Sequence, residues 1–209
     1  MIVSLKSISR KTTAHENHHQ QQDFKTDDDA WTSLTVWRKS LVFSCKGFTV
    51  IDSNGNYAFR VDNYTGHPVE VILMDGSGKP ILTMCRSTGL RLVDNWHVYE
   101  GEVGDVSSKK PICCVRKHIN ILQSNVSVLA RVYHGPSDKR YAYMIEGSYA
   151  NRSCRVLDES RKVVAEIKRK EGMNGGVSFG LEVFLLIVQP GFNPSFAMAI
   201  VLLLDQMFS

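Results

Sequence analysis

From residue 34 onward the chain is a succession of short apolar runs, each closed by a cluster of Asp, Asn, Gly, Ser or Pro. Within many runs the polarity alternates: Tyr57, Phe59 and Val61 fall on one face, Ala58, Arg60 and Asp62 on the other. Period two is the signature of half-buried strands. One unit recurs at 48–60, 71–83 and 154–166, and each copy is a strand, a polar turn opened by aspartate, and a second strand. Asp52, Asp75 and Asp158 can bond their own backbone two residues on, while Asn54-Gly55 and the Gly76/Gly78 pair tolerate the positive φ of tight turns, so three hairpins are predicted. Further strands are expected at 96–100, 112–117, 126–133, 141–146 and 179–188, giving an antiparallel meander.

The C-terminus breaks this pattern. Asn193-Pro194 is an N-cap followed by proline at the first helical position, which predicts a helix over about 194–208. Phe196 to Leu204 contains no polar residue, so no side of that helix suits water. The run is about half the roughly 20 apolar residues that a membrane span needs, which leaves enclosure by the strands. A helix with its side chains is about 10–12 Å across, and eight strands leave room only for packed side chains. The expected fold is therefore all-β with a central helix: a closed antiparallel barrel of roughly eleven or twelve strands around the apolar C-terminal helix.

Residues 1–30 read differently. His15 to Asp29 holds one large apolar residue and cannot offset the entropy of ordering, so 1–30 is expected to be a flexible arm and 31–209 the barrel domain. His15, His18 and His19 read as part of a polar linker. Met1 to Ala14 is basic and serine-containing but has no continuous apolar core of the signal-peptide kind; a transit peptide shares that character and stays open. Five cysteines, an odd number without a C-x-x-C pair, point to a reducing compartment. The sequons at Asn63, Asn125 and Asn151 would then be silent. An intracellular protein is expected, cytoplasmic or peripheral at the plasma membrane, with a nuclear pool left open.

Charge adds little at first: 25 Lys and Arg against 21 Asp and Glu give a formal +4. That is too thin for direct nucleic-acid binding and compatible with anionic membrane surfaces. The sharpest basic feature is 161–170, where alternation puts Val163, Ala165 and Ile167 inward and Lys168 and Lys170 outward beside Glu166. Arg161, Lys162, Arg155, Arg131, Arg116 and Lys117 are candidates to join them in a patch for anionic phospholipid or phosphoinositide headgroups; the competing reading is a solvated exterior.

Other chemistry is weaker. An EF-hand loop opening at Asp52 would need glycine where Tyr57 stands and glutamate where Asn63 stands. The stretch 172–180 is glycine-rich but lacks G-K-[ST], so it reads as a connection. Cys113 or Cys114 with His118 is the one local thiol–imidazole pairing, and buried strand cysteine is the plainer account. No catalytic residue, metal ligand or cofactor is assigned, and a non-enzymatic monomer is expected.

The stretch Leu34-Thr-Val-Trp-Arg-Lys-Ser-Leu-Val-Phe-Ser-Cys-Lys-Gly-Phe-Thr-Val-Ile-Asp-Ser-Asn-Gly-Asn-Tyr-Ala-Phe-Arg resembles the opening of the plant LURP-one-related family. The likeness continues through 71–83, 156–167 and 196–208. It implies the Tubby C-terminal fold, a twelve-stranded barrel threaded by a hydrophobic helix, akin to that of phospholipid scramblases. It also implies a membrane-associated regulatory or binding module, like Tubby-like membrane-tethered transcription regulators, in plant defence signalling. Two alternatives remain: a scramblase-like lipid transporter anchored by the C-terminal helix, and a scaffold for an unknown protein partner. No motif aligns with the phosphoinositide-binding residues of Tubby, so none is carried over.

Overall fold

All three predicted hairpins form: β2 (Phe48–Ile51) with β3 (Tyr57–Val61), β4 (Glu70–Asp75) with β5 (Pro80–Arg86), and β10 (Ser153–Asp158) with β11 (Val163–Arg169). This computed structural model describes residues 30–209 apart from 44, 63–68, 88–93, 105–108, 120–127 and 172–178. Almost all of the expected arm, most of the glycine-rich stretch, and Asn63 and Asn125 lie outside the described residues. Each hairpin is closed by its aspartate. Asp52 Oδ1 accepts from the N–H groups of Asn54 and Asn56 at 2.8 Å each, Asp75 Oδ1 from those of Ser77 and Lys79 at 2.9 Å, and Asp158 Oδ1 from that of Lys162 at 2.9 Å. Bonds to the ionised carboxylate hold Asp52 below its ordinary pKa, the Asn56 N–H most of all, and Asp75 likewise, led by the Ser77 hydroxyl.

β6 (Asn95–Glu100), β7 (Cys113–Lys117), β8 (Val128–Tyr133), β9 (Tyr143–Ser148) and β12 (Val183–Val188) occupy the other expected runs. Two boundaries move. The strand expected at 141–146 lies at 143–148, because Gly147 keeps its place in the ladder opposite Cys154 at φ +119°. A Cβ there would lie 2.1 Å from the Ser153 carbonyl oxygen, so this glycine marks a close backbone approach and not a strand end. The run expected from 179 becomes strand only at 183, after a turn through Gly180 at φ +66°. One strand lies outside the expected runs: β1 (Thr32–Trp37), whose two threonines and serine mask the inward pair Leu34 and Val36.

Every strand pairs antiparallel with its neighbours in sequence, and β1 pairs with β12 from Thr32↔Val188 to Trp37↔Val183, closing a twelve-stranded up-and-down barrel. α1 (Pro194–Phe208) runs inside it. Asn193 Oδ1 accepts from the N–H groups of Ser195 and Phe196 at 2.9 and 3.1 Å, satisfying the first turn. Residues 197 to 205 are all buried, against an inner wall that includes Val36, Phe48, Leu73, Met84, Ile145 and Phe184. At about 1.5–3 kcal/mol per enclosed large apolar side chain, burial of this helix is a main source of stability.

Alternating strand directions sort the connections. The three aspartate hairpins lie at the near end, where α1 enters; the β1–β2, β9–β10 and β11–β12 connections lie at the far end, where it finishes.

Candidate functional site

The predicted basic patch is spread along and around the barrel. On β11 a register shift puts Val164, and not the expected Val163, toward the core; Val163 packs outward beside Leu157, and the other outward residues are Glu166, Lys168 and, just beyond the strand, Lys170. Arg161 and Lys162 sit in the β10–β11 turn at the near end, about 20 Å away along the strand. Arg155 stands in register between Glu146 on β9 and Glu166 on β11. Arg161 donates to Glu146 Oε1 at 3.0 Å, and Lys168 pairs with Glu166. The outer row across β9, β10 and β11 therefore alternates in sign.

Three other candidates are engaged by the fold. Arg116 lies over the Tyr133 ring at 4.2 Å and donates to the Pro136 carbonyl. Its ladder neighbour Arg131 lies 5.7 Å from the Tyr141 ring, with its Nε buried and unbonded. Lys117 donates to the Met207 carbonyl and sits 4.5 Å from the Phe208 ring, a cation placed where the helix dipole is negative.

Lys168 and Lys170 differ from these in what borders them. Lys168 is the ladder partner of Leu185, which is the partner of Thr35; Val183 is the partner of Trp37. Val183, Leu185 and Ile187 line the outer face of β12, each half-buried, with the exposed Trp37 beside them. Lys170 Nζ donates to Thr35 Oγ1 at 2.9 Å and lies 5.7 Å from the exposed Phe179 ring. An apolar stripe edged by two lysines results. Its signal in the sequence was available: Val-Phe-Leu-Leu-Ile-Val is apolar at six successive positions, where a half-buried strand should alternate.

The far end is tied together by buried polar groups that sequence reading passed over. Asp205, 2% exposed, accepts from Tyr149 Oη at 3.0 Å and from Arg38 at 3.2 Å. Arg38 also pairs with Glu182 at 3.7 Å. Buried Arg152 donates to the carbonyls of Leu181 and Tyr149 and packs on the Tyr149 and Phe184 rings. These contacts join the β1–β2, β9–β10 and β11–β12 connections to the end of α1.

The thiol–imidazole neighbours are not the ones expected. Cys114 faces His97 across the ladder, not His118, and Cys85 flanks His97 on the other side. Burial raises the Cys114 thiol, and raises Cys113 to about 12 and Cys85 and Cys154 to about 11. His97 is held below the usual imidazole value by burial and then by Arg116. Burial thus disfavours the thiolate form that nucleophilic chemistry uses. Among the described residues no group of His, Cys, Asp or Glu is arranged to hold a metal ion.

Residues 32–205 match the family described as LURP-one-related. Two similar proteins from Arabidopsis thaliana are protein LURP-one-related 17, 51% identical over 187 residues covering 86% of this chain and 85% of that protein, and protein LURP-one-related 8, 49% identical over 185 residues covering 87% and 90%. A solved structure of an Arabidopsis thaliana protein, 26% identical, superposes with a TM-score of 0.60 over 85% of this chain and 91% of its own.

Proposed function

The chain belongs to the LURP-one-related family, and from that premise we propose that it is a non-enzymatic module that docks on anionic phospholipid surfaces as part of intracellular signalling, with plant defence the setting. The observation that carries this reading is the stripe of Val183, Leu185 and Ile187 edged by Lys168, Lys170 and Trp37. Apolar groups beside lysines suit the boundary between lipid headgroups and acyl chains, where each Lys or Arg contributes about 1 kcal/mol at an anionic surface. The closed, raised thiols favour binding over catalysis.

Cosedimentation of the full chain with phosphatidylcholine vesicles, with and without phosphatidylserine or a phosphoinositide, tests the proposal. Binding is expected only to the anionic vesicles and should weaken with salt, because the Debye length is about 10 Å at 0.1 M. Changing both Lys168 and Lys170 to Glu removes two favourable charges, together worth about 30-fold, and adds two repulsive ones, so binding should weaken by about 30-fold or more. Equal retention on neutral and anionic vesicles, or none on either, ends this reading.

A transporter anchored by α1 is disfavoured by where the helix sits. No helix among the described residues is long and apolar enough to cross a membrane. Withdrawing α1 would also expose the apolar inner wall of all twelve strands to water.

A further inference from the structure

We infer that the β1–β2 connection is the membrane-inserting element of this protein: Leu41, Val42 and Phe43 enter the apolar layer of an anionic bilayer while Lys39 and Lys46 hold lipid phosphate at its surface. The inference rests on the lipid-docking reading above and moves its centre from the strand face to the far end of the barrel. Phe43 is 94% exposed, and Leu41 and Val42 are each 42% exposed. A single exposed apolar residue carries no message, but three in succession at the tip of one connection do.

The described residues of the connection are held in shape. Arg38 ties its start to Asp205 and Glu182. The buried Ser40 donates through its hydroxyl to Asp62 at 2.7 Å and accepts from the Val42 N–H at 3.0 Å. Thr49 Oγ1 donates to the Lys39 carbonyl at 2.7 Å, and the Cys45 N–H bonds the Val42 carbonyl at 3.2 Å. Gly47 passes so near β3 that a Cβ would lie 1.9 Å from the Val61 carbonyl oxygen. The polar groups thus fasten the base, and the apolar side chains are held outward in water.

What would cover such a tip is indicated by the charges around it. A cleft of about 390 Å³ at its base is lined by Arg38, Lys39, Cys45, Lys46, Gly47 and Glu182. Lys39 and Lys46 are exposed, and Lys39 Nζ lies 5.1 Å over the Trp37 ring, the aromatic that borders the β12 stripe. A tip of aliphatic and aromatic residues above a cationic collar matches the depth profile of an anionic bilayer, with acyl chains below phosphates and an amphipathic ring at the boundary. A protein partner would supply fixed carboxylates instead, and it is an outcome of the test below.

The test uses the full chain with phosphatidylcholine vesicles containing phosphatidylserine. Phe43→Ser alters a fully exposed side chain and should leave the urea midpoint unchanged, yet weaken vesicle binding by about tenfold or more. Lys39→Glu with Lys46→Glu should weaken it by about 30-fold or more. The emission that a Phe43→Trp variant adds over wild type, whose own Trp31 and Trp37 are exposed, should be quenched by iodide in solution, then shift to the blue and be quenched by brominated lipid once vesicles are added. If the Phe43→Ser protein binds vesicles like wild type while the Lys168, Lys170 double variant does not, insertion is wrong and docking on the strand face stands. If wild type binds no vesicle at all, both readings fall together. Iodide protection of the Phe43→Trp ring without lipid would show the tip covered by protein and would also overturn insertion.

Discussion

Leu202 sits midway along α1 with no solvent exposure, and Met198, Ala199, Val201, Leu203 and Asp205 around it are buried as well. Truncation to alanine removes three carbon groups, about 2.4 kcal/mol of transfer free energy at about 0.8 kcal/mol each. It also leaves a cavity, because a wall of strands joined edge to edge all the way round cannot collapse onto the gap. Comparable fully enclosed leucines lose about 2.7–5.0 kcal/mol in total, so about 4 kcal/mol is expected here. Against a net stability of about 5–15 kcal/mol the variant should still fold, with its Tm lowered by about 8–16 °C. Urea unfolding followed by tryptophan emission checks this, since Trp96 lies in the core at 2% exposure and reports on barrel opening. The midpoint should fall with the slope unchanged. Leu202→Asp adds a buried carboxyl with no designed partner and should abolish the cooperative transition. A loss below about 1 kcal/mol for the alanine variant, or a normal transition for the aspartate one, would refute the enclosure argument.

Four further outcomes are expected of this barrel. Tyr149→Phe removes a donor from buried Asp205 and should lower stability by about 1.5–3 kcal/mol in urea, the range for bonds to charged groups. Gly147→Ala meets both a φ of +119° and the Ser153 carbonyl and should lose more than about 2 kcal/mol, whereas Gly55→Ala, with nothing within 4 Å of the new Cβ, should lose only about 1 kcal/mol for its positive φ. Native protein at pH 8 should react rapidly with a thiol reagent at the half-exposed Cys45 alone, and the other four cysteines should react only after denaturation; more than one fast thiol would contradict the burial described. Asp52 has a native pKa below its ordinary 3.8, so its stabilisation is present above that pH and is lost as pH falls through the native value. The stability gap between wild type and Asp52→Asn should therefore be open at neutral pH and close below about pH 3.8.

The sequence by itself determined what depends on neighbours along the chain. Asp52, Asp75 and Asp158 specify their hairpins because a short carboxylate reaches its own backbone, and Asn193-Pro194 specifies a helix start because the cap and the fixed φ are local. The apolar run 196–204 even required enclosure, since nothing else shields a helix greasy on all sides. Tertiary structure decided what depends on lateral neighbours far apart in the chain. Registry across the ladders set Arg155 between two glutamates, put His97 and not His118 beside Cys114, and laid Lys168 against Leu185. Barrel closure gathered the β1–β2 and β11–β12 connections at the end of α1 around Asp205. Strand periodicity says which way a side chain faces, but only the order and offset of the strands say what stands next to it.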